Sequence, residues 1–509
     1  MGRTTPDPPV SAVRYHDLTS HVRHRISPHS LDFSRYPAPF KTYEYQRRIL
    51  LNPGNGTTRK DQGKNTALSD LKATVDSAMG DQMNGNEPVG LETVSRILSL
   101  SYGVTLADRS RGIMFRSVPS AGGLYPCQLY LSVQKTDDIE TGLYYCDTVQ
   151  GFLGRINPRP LDLNLLFPGR AATEACMVIT GIFYHSAWKY RERAFRYLLL
   201  DAGHLAEAVV QSARATGVQA RICYDFDDHG LVQSLNLDAG LEVPLACVFL
   251  GSGKFTAPLP DSIPFQPAVC PPNQGDPMVY DILSNAHQTG TPIAAKPLVK
   301  NIPPVFSGTP EQKHPVPAPG RFPAVSFVRA VTGRRSRRNF VTREVPAPVW
   351  SALLNRVFDK MFIDHDPDET GSAAASFVMT AMISQNMQGL TPGLYAISRD
   401  GAGLTSLKTG DLAEDLARVC LDQPWIGRAA VNFLMAADLA AVEAAMGARG
   451  YRYVMMHAGR IGHRVYMAAQ KLGMGCCGIG AMYDGEAVDL LGLTSGSRLL
   501  YALSAGPVK

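Results

Sequence analysis

A cluster of arginine residues late in the chain has the composition of a phosphate site. It follows a short helical stretch, 324–332, that is closed by Gly333, so the basic residues fall in the loop beyond the helix. Guanidinium groups hold a phosphate dianion through charge-assisted, bidentate hydrogen bonds, and a neighbouring serine hydroxyl adds a donor. A solvated basic loop is the alternative interpretation. The residues of this arginine segment are Arg334, Arg335, Ser336 and Arg338.

A turn of small residues early in the chain could lie against a flat ligand. It belongs to the segment 116–126 and precedes an alternating strand predicted over 127–134. Small side chains let the backbone approach a planar ring closely. An ordinary glycine-rich turn fits the same spacing. The residues predicted to contact the ring are Pro119, Ser120, Ala121 and Gly122.

An internal repeat relates the two halves of the chain. Seven residues, beginning with Arg196 and Tyr197, recur at an offset of 256 residues, beginning with Arg452 and Tyr453. Both copies predict a long helix with apolar residues at three- and four-residue spacing, between two buried strands. The chain is therefore predicted to be an internal pseudo-dimer of two α+β units whose long helices pack together. The predicted strands are 176–184 and 244–250 in the first copy, and 431–437 and 499–505 in the second.

Proline separates the two halves. Of the 70 residues from 254 to 323, 16 are proline, a density that excludes regular helix and a central strand. An extended connector wrapped on the surface is the expected structure. The predicted domains are residues 1–253 and 324–509, joined by the connector 254–323.

Together with the segment 475–482, these features resemble the nitroreductase superfamily, and specifically its SagB-like branch of flavin-dependent dehydrogenases. The resemblance covers nearly the whole chain apart from the connector. It implies an α+β fold of two fused nitroreductase-like domains that form an intramolecular pseudo-dimer, with FMN as the cofactor. Further matching segments are 15–20, 40–43, 142–145, 188–193 and 201–204.

The resemblance implies an FMN site that both halves share. In that family an Arg-Arg-Ser segment of one subunit holds the phosphate of FMN, while a Pro-Ser segment of the other subunit lies against the flavin ring. Here the C-terminal half has the arginine segment and the N-terminal half has the small-residue turn, and each half lacks the other motif. We therefore expect one complete FMN site per chain, one degraded or empty site, and no metal.

The family pattern assigns three further residues to the cofactor. Gly480 and Ala481 are expected to offer a backbone N–H toward flavin N5, the atom that accepts hydride. Arg498 is expected near the phosphate or the ring, where a positive charge stabilises the anionic reduced flavin. Cys476 and Cys477 are interpreted as small side chains in a packed loop.

Lys189 and Tyr190 are the candidate catalytic pair. In azoline-oxidising relatives, a Lys-Tyr pair at the matching position is implicated in proton removal while hydride leaves for FMN. A desolvated lysine can act as a base, and a tyrosine can relay or orient the proton. A charged helix start is the alternative interpretation. Asp201 and His204 are expected to be structural, since the other copy carries different residues there.

The resemblance therefore implies an FMN-dependent oxidoreductase that transfers hydride between flavin N5 and a small-molecule or peptide-derived substrate. Oxygen or NAD(P)H is the expected redox partner. One alternative is an NAD(P)H-dependent nitro or quinone reductase, because ordinary nitroreductases bind nicotinamide without a dinucleotide fingerprint. The other alternative is a non-catalytic flavin-binding or scaffold protein.

Composition excludes several other classes of protein. The 509 residues are 45% hydrophobic and 19% charged with a net charge of +5, which is typical of a soluble globular protein and does not require a nucleic-acid partner. The nine cysteines have no repeated metal-ligand spacing and are interpreted as reduced thiols of a cytoplasmic protein. No apolar segment predicts a membrane span.

Overall fold

The protein, seen in a computed structural model, consists of two halves built around similar sheets. The described part of the connector corrects the prediction that proline excludes regular helix there, because Asp281–Thr289 forms a helix; Lys313–Pro315 forms a short strand at the edge of a sheet. The described residues are 11–26, 30–37, 41, 43–51, 87–108, 113–167, 173–252, 280–293, 302–307, 312–322, 325–359 and 369–509.

The N-terminal half is organised around one antiparallel sheet. Its strands are β1 (Arg47–Leu50), β2 (Val104–Asp108), β3 (Ile113–Arg116), β4 (Cys127–Val133), β5 (Gly142–Asp147), β6 (Phe152–Asn157), β7 (Ala175–Ile182), β8 (Ala220–Cys223) and β9 (Glu242–Leu250). Seven of them pair in the order β1-β6-β5-β4-β7-β9-β8, and β2 and β3 form a separate hairpin. The helices are α1 (Ala12–Leu18), α2 (Leu91–Tyr102), α3 (Leu163–Leu166), α4 (Phe183–Tyr190), α5 (Ala194–Ala215), α6 (Asp228–Ser234) and α7 (Asp281–Thr289).

Strand β4 is buried along its whole length, whereas the sequence predicted an alternating strand there. Leu129 belongs to the core cluster that contains residues of α5, and Tyr130 belongs to a second cluster that contains Leu231 of α6. Both faces of this central strand are therefore covered. A strand covered on both faces does not need polar residues at alternate positions.

The C-terminal half repeats this architecture. Its strands are β10 (Lys313–Pro315), β11 (Met379–Ser384), β12 (Gly393–Ile397), β13 (Gly403–Thr409), β14 (Val431–Asp438), β15 (Gly475–Ile479) and β16 (Ser497–Gly506). They pair antiparallel in the order β10-β13-β12-β11-β14-β16-β15, which is the order of the first sheet. The helices are α8 (Phe327–Gly333), α9 (Ala347–Val357), α10 (Glu369–Phe377), α11 (Ala413–Val419), α12 (Leu439–Met446), α13 (Gly450–Lys471) and α14 (Asp484–Leu491). The predicted α+β fold with two like halves is confirmed.

The long helices α5 and α13 pack against each other at a pair of glycines. A Cβ atom at Gly203 would overlap the carbonyl oxygen of Met456, and one at Gly459 would overlap the carbonyl oxygen of Leu200. The two glycines occupy the same position in the repeat. The helices therefore cross backbone against backbone, as predicted for the twin helices, and only glycine fits at the crossing.

Buried ion clusters join the halves on either side of this crossing. In each cluster, an aspartate at the start of a short helix of one half pairs with two buried arginines of the other half. A histidine also lies beside each aspartate: His16 in one cluster and His287 in the other. The two sets are Asp484 with Arg193 and Arg196, and Asp228 with Arg449 and Arg452. Because the sets correspond residue for residue across the repeat, the interface has a pseudo-twofold axis.

Substituting alanine at the helix crossing should destabilise the protein. We expect Gly203→Ala to lower the free energy of unfolding by about 1–3 kcal/mol, because the methyl group meets backbone that cannot move aside. Gly485→Ala is the matched control, since a Cβ at this helical glycine meets nothing within 4 Å. Denaturant titration measures both variants. Equal stability of the two variants would contradict the backbone contact.

The ion clusters should make the protein sensitive to acid. Burial alone would raise the pKa of Asp228, but the charges of Arg452 and Arg449 and a hydrogen bond from His287 bring it below its ordinary value. An aspartate with a lowered folded-state pKa stabilises the fold above its unfolded pKa, about 3.9, and this stability is lost as the pH falls.

Asp228→Asn should therefore cost about 3–5 kcal/mol at neutral pH, because two arginines lose their buried partner. It should also reduce the loss of stability on acidification, to which Asp484 and Glu207 contribute as well, since buried arginines lower their pKa values too. Unfolding measured between neutral pH and the acid range gives both quantities. If the free energy of unfolding of the variant fell as steeply with decreasing pH as that of the wild type, this role of Asp228 would be contradicted.

Candidate active site

A cleft of about 910 Å³ lies between the two halves and brings most of the predicted site residues together. The small-residue turn, α4 and α5 contribute one wall, and the arginine segment and the end of β15 contribute the other. A ligand bound in the cleft would therefore contact both halves. The predicted residues that line it are Pro119, Ser120, Ala121, Gly122, Lys189, Tyr190, Arg334, Arg335, Ser336, Arg338, Gly480 and Ala481.

Arg334 connects the two walls. Its side chain is 2% exposed, and its guanidinium donates to the backbone oxygens of Ser117 at 2.7 Å and Arg116 at 3.0 Å in the other half. Its remaining nitrogen, Nη1, is buried and has no hydrogen-bond partner among the residues that the structure describes. Burial lowers the pKa of Arg334. An anion at Nη1 would satisfy this donor and compensate the buried charge.

Ser336 is fixed in place by the C-terminal sheet and by α13. It pairs with Cys476 of β15 in an isolated parallel bridge, and its hydroxyl lies 2.9 Å from the hydroxyl of Tyr466. The same tyrosine hydroxyl accepts a hydrogen bond from the backbone N–H of Gly478 at 2.8 Å. The arginine segment is thus held alongside β15 rather than being a loose basic loop.

Arg335 and Arg338 extend the positive charge along the cleft. Arg335 is half-buried and donates to the hydroxyl of Thr105 at 3.2 Å, in the β2–β3 hairpin of the other half. Arg338 is exposed, and its guanidinium lies 5.5 Å from the centre of the Trp425 ring. The segment therefore presents one buried and two more accessible guanidinium groups.

The small-residue turn is anchored on α5 through Asp201. The hydroxyl of Ser120 donates to the carboxylate of Asp201 at 2.5 Å, and the backbone N–H of Ala121 donates to it at 3.1 Å. The hydroxyl of Ser120 also accepts a hydrogen bond from the N–H of Tyr125 at 2.9 Å. These bonds fix the backbone of the turn along the cleft.

Lys189 and Tyr190 lie directly over the turn. A Cβ at Gly122, whose φ is +65°, would lie 2.9 Å from the Tyr190 hydroxyl and 3.1 Å from Cδ of Lys189. Glycine is therefore required both for the left-handed backbone and for the contact with the pair. Lys189 and Tyr190 are the last two residues of α4, so the pair itself ends a helix, while the charged residues 191–193 that follow lead into α5.

The surroundings of the pair shift both pKa values. Burial, followed by the positive charge of Arg338, lowers the pKa of Lys189. Burial raises the pKa of Tyr190, and the neighbouring hydroxyl of Tyr197 raises it further. The Tyr190 and Tyr197 rings lie 4.2 Å apart between centroids. A lysine that gives up its proton more readily than usual thus lies beside a tyrosine that keeps its own.

Gly480 lies in the cleft, but Arg498 does not. A Cβ at Gly480 would lie 2.5 Å from the ring of Tyr197, so the backbone there is packed tightly against α5. Arg498 was expected near the phosphate or the ring. Instead its guanidinium donates to the carboxylate of Asp17 at 2.9 Å and to nearby backbone oxygens, and it is not part of the cleft wall. This position corrects the prediction for Arg498.

Several cleft residues on the long helices and on β16 were not predicted from the sequence. Asp201 and His204 were expected to be structural, yet both line the cleft. The replacement of Asp201 by His457 in the second copy was interpreted as evidence of a structural role, but the same difference is the signal that could have identified Asp201 as a residue of one cleft. The side chains not assigned to the site from sequence include Tyr197, Asp201, His204, Tyr466 and Tyr501.

Two cleft residues have bulkier or paired counterparts on the other side of the pseudo-dimer. Tyr224 is the counterpart of Gly480, and its ring lies 5.7 Å from that of Tyr453. Arg460 is the counterpart of His204 and forms a buried ion pair with Glu207 at 2.9 Å. These two positions therefore differ between the two sides of the pseudo-dimer.

The described part of the chain has neither a metal-binding cluster nor a membrane-spanning helix. No group of His, Cys, Asp and Glu residues there could hold a metal ion. Within the same ranges, the helices are all too short or too polar to cross a bilayer. Cys476 and Cys477 are buried in β15, as small side chains of a strand rather than of the predicted loop.

The sequence matches a family model twice, once in each half. The model is described as the nitroreductase family, and it matches residues 85–252 and 331–506. The two matches together account for more than half of the chain.

Individual relatives and one solved structure extend this result. A nitroreductase-like protein of Methanocaldococcus jannaschii is 28% identical over 171 residues, which are 33% of this chain and 82% of that protein. McbC, the microcin B17-processing protein of Escherichia coli, is 26% identical over 177 residues, which are 32% of this chain and 62% of McbC. The crystal structure of a nitroreductase-like protein from Anabaena variabilis covers 98% of this chain and 100% of its own, with a TM-score of 0.76 and 24% identity. The last comparison shows a common fold over the whole chain.

Proposed function

Because the chain belongs to the nitroreductase family, as a tandem protein of the SagB-like type, we propose that it is an FMN-dependent oxidoreductase with one FMN site per chain. It transfers hydride between a substrate and N5 of the flavin. The family supports an oxidoreductase, and the cofactor and the direction of hydride transfer are our inference. The matched ranges fall within the proposed domains, 1–253 and 324–509.

One observation carries the proposal: the unpartnered Nη1 of buried Arg334 at the junction of the two walls. A buried guanidinium that already holds two backbone oxygens of the other half needs an anion, and a phosphate group meets that need. The hydroxyl of Ser336 and the guanidinium groups of Arg335 and Arg338 are the other donors for the phosphate. The donor set and the small-residue turn therefore fit the phosphate and the ring of FMN.

Each wall has its own task in this proposal. When bound, FMN supplies the hydride acceptor or donor of the reaction. Residues 119–122 and the backbone at Gly480 and Ala481 hold the ring and exclude water from it. The half-buried amine of Lys189 takes a proton from the substrate, and the hydroxyl of Tyr190 orients that proton. Neither role of the pair requires movement of the turn, since the Tyr190 hydroxyl and Cδ of Lys189 already lie 2.9 and 3.1 Å from the position that a Cβ of Gly122 would take.

The substrate is proposed to be peptide-derived, with oxygen or another acceptor as the redox partner. The match to McbC supports this choice, because McbC is named as a protein that processes microcin B17. A second candidate, an NAD(P)H-dependent nitro or quinone reductase, is supported by the description of the M. jannaschii relative as a nitroreductase. Anaerobic reduction of the bound flavin separates the two. Reduction by NADH or NADPH at catalytic rates would favour the second candidate, whereas reduction only by an azoline-containing peptide favours the first.

The purified protein should contain about one FMN per chain. Arg334→Ala and Arg338→Ala should each weaken FMN binding roughly tenfold or more, because a charge-assisted hydrogen bond contributes about 1.5–3 kcal/mol. Arg338 is exposed, so its variant tests the site without disturbing the buried contacts of Arg334. Arg498→Ala is the matched control and should keep FMN. Flavin absorbance per chain and FMN titration of the apoprotein provide the measurement, and full FMN affinity in both cleft variants would refute the site.

Removing the amine of Lys189 should slow the chemistry without releasing the cofactor. We expect Lys189→Met to keep FMN and to slow substrate-driven flavin reduction by about 100- to 10,000-fold, the usual contribution of a general base. Since the pKa of Lys189 is lowered, the wild-type rate should rise with pH at a midpoint below that of ordinary lysine, and this rise should be absent from the variant.

Single-turnover reduction by an azoline-containing peptide, followed at several pH values, measures both effects. The matched control is Lys313→Met, which removes an exposed lysine on β10. An unchanged single-turnover rate in Lys189→Met would show that Lys189 is not the general base and has only a structural role.

A further inference from the structure

Asp201 is a buried carboxyl group that lies immediately behind the small-residue turn. It is 7% exposed and belongs to α5, half a turn before the crossing at Gly203. It accepts hydrogen bonds from the hydroxyl of Ser120 and from the backbone N–H of Ala121. Both donors belong to the part of the turn that lines the cleft. Asp201 is therefore coupled to the cleft through two consecutive residues.

Asp201 has no cationic partner in the described part of the chain. Titratable groups that interact with it electrostatically include Tyr102 from α2, Cys127 from β4, Tyr190 from α4 and Tyr501 from β16. None of these carries a positive charge at neutral pH.

The two buried arginines of the same region are engaged elsewhere. Arg116 donates to the carbonyl of Tyr102 at 3.3 Å and to the hydroxyl of Thr148 at 2.9 Å. Arg334 donates to backbone oxygens of the segment before the turn. Burial raises the pKa of Asp201 to about 7, although the bonds from Ser120 and Ala121 oppose that rise. The carboxyl group can thus gain or lose a proton near neutral pH.

The internal repeat places a carboxyl group at only one of the two equivalent positions. The counterpart of Asp201 at the 256-residue offset is His457. Of this pair, the carboxyl group is therefore the member that lies behind the small-residue turn, on the side of the arginine segment.

Reduction of the bound flavin would change the electrostatic environment of Asp201. A hydride brings two electrons and one proton to the flavin, which leaves the ring with one additional negative charge. An ionised carboxylate behind the adjoining turn would repel that charge strongly in this buried, low-dielectric setting. Uptake of one proton by the carboxylate removes the repulsion.

We propose that Asp201 is a positioning residue that takes up one proton from solvent when the flavin is reduced. This proposal rests on the proposed FMN site. The protonated carboxyl donates to the hydroxyl oxygen of Ser120, which still accepts the N–H of Tyr125. The hydrogen of the Ser120 hydroxyl is then released from Asp201 and turns toward the cleft as a donor to the reduced ring. Asp201 itself does not touch the ring; it acts through Ser120 and Ala121.

The test is the number of protons taken up with the two electrons, measured from the pH dependence of the midpoint potential of the FMN-bound protein. Above about pH 7, the wild type should take up two protons, one on the flavin and one on Asp201. Asp201→Asn keeps an acceptor oxygen for the turn but cannot titrate, so it should take up one. Asp17→Asn, which changes a carboxylate on α1 outside the cleft, should behave like the wild type.

A second measurement does not depend on any variant folding. The infrared difference spectrum between oxidised and reduced wild-type protein should show one protonated carboxyl band gained on reduction. Absence of that band, or equal proton numbers in the wild type and Asp201→Asn, would overturn the role of Asp201 while leaving the FMN site intact. A purified protein that cannot bind FMN would overturn both proposals.

Discussion

The crossing of α5 and α13 at Gly203 and Gly459 is the constraint on which the rest of the structure depends. Two helices whose backbones touch cannot slide or rotate without a clash, so the halves have a single relative position. The buried aspartate and arginine clusters hold that position from both sides. Arg334 can reach the carbonyl oxygens before the small-residue turn only because this arrangement is fixed.

The same helix that packs the halves together also supplies the chemistry of the cleft. Tyr197, Asp201 and His204 lie on α5 around the glycine crossing, and all three line the cleft. The residues of α5 that pack the two halves together and those that line the cleft therefore alternate along the same helix. A change that moved α5 would alter the support of the small-residue turn and the packing of Tyr190 at the same time.

The sequence predicted the parts of the molecule that depend on local pattern. The repeat located both long helices and their flanking strands, and the family resemblance identified the turn and the arginine segment that meet in the cleft. Contacts between segments that are distant in the sequence could not be predicted from local pattern. Arg498 pairs with Asp17 at the other end of the chain, and Asp201 meets a turn 80 residues away, so neither partner leaves a periodic signal. The burial of β4 on both faces depends likewise on what packs over it.

The ion clusters repeated in both halves and the cleft on one side of the pseudo-dimer illustrate what a covalent link between the halves permits. In a homodimer every substitution is made twice, and dilution separates the partners. In this chain each half remains at a high effective concentration for the other, whatever the amount of protein in the cell. One face of the interface could therefore exchange its open positions for Tyr224 and the Arg460–Glu207 pair, while the opposite face kept its cavity.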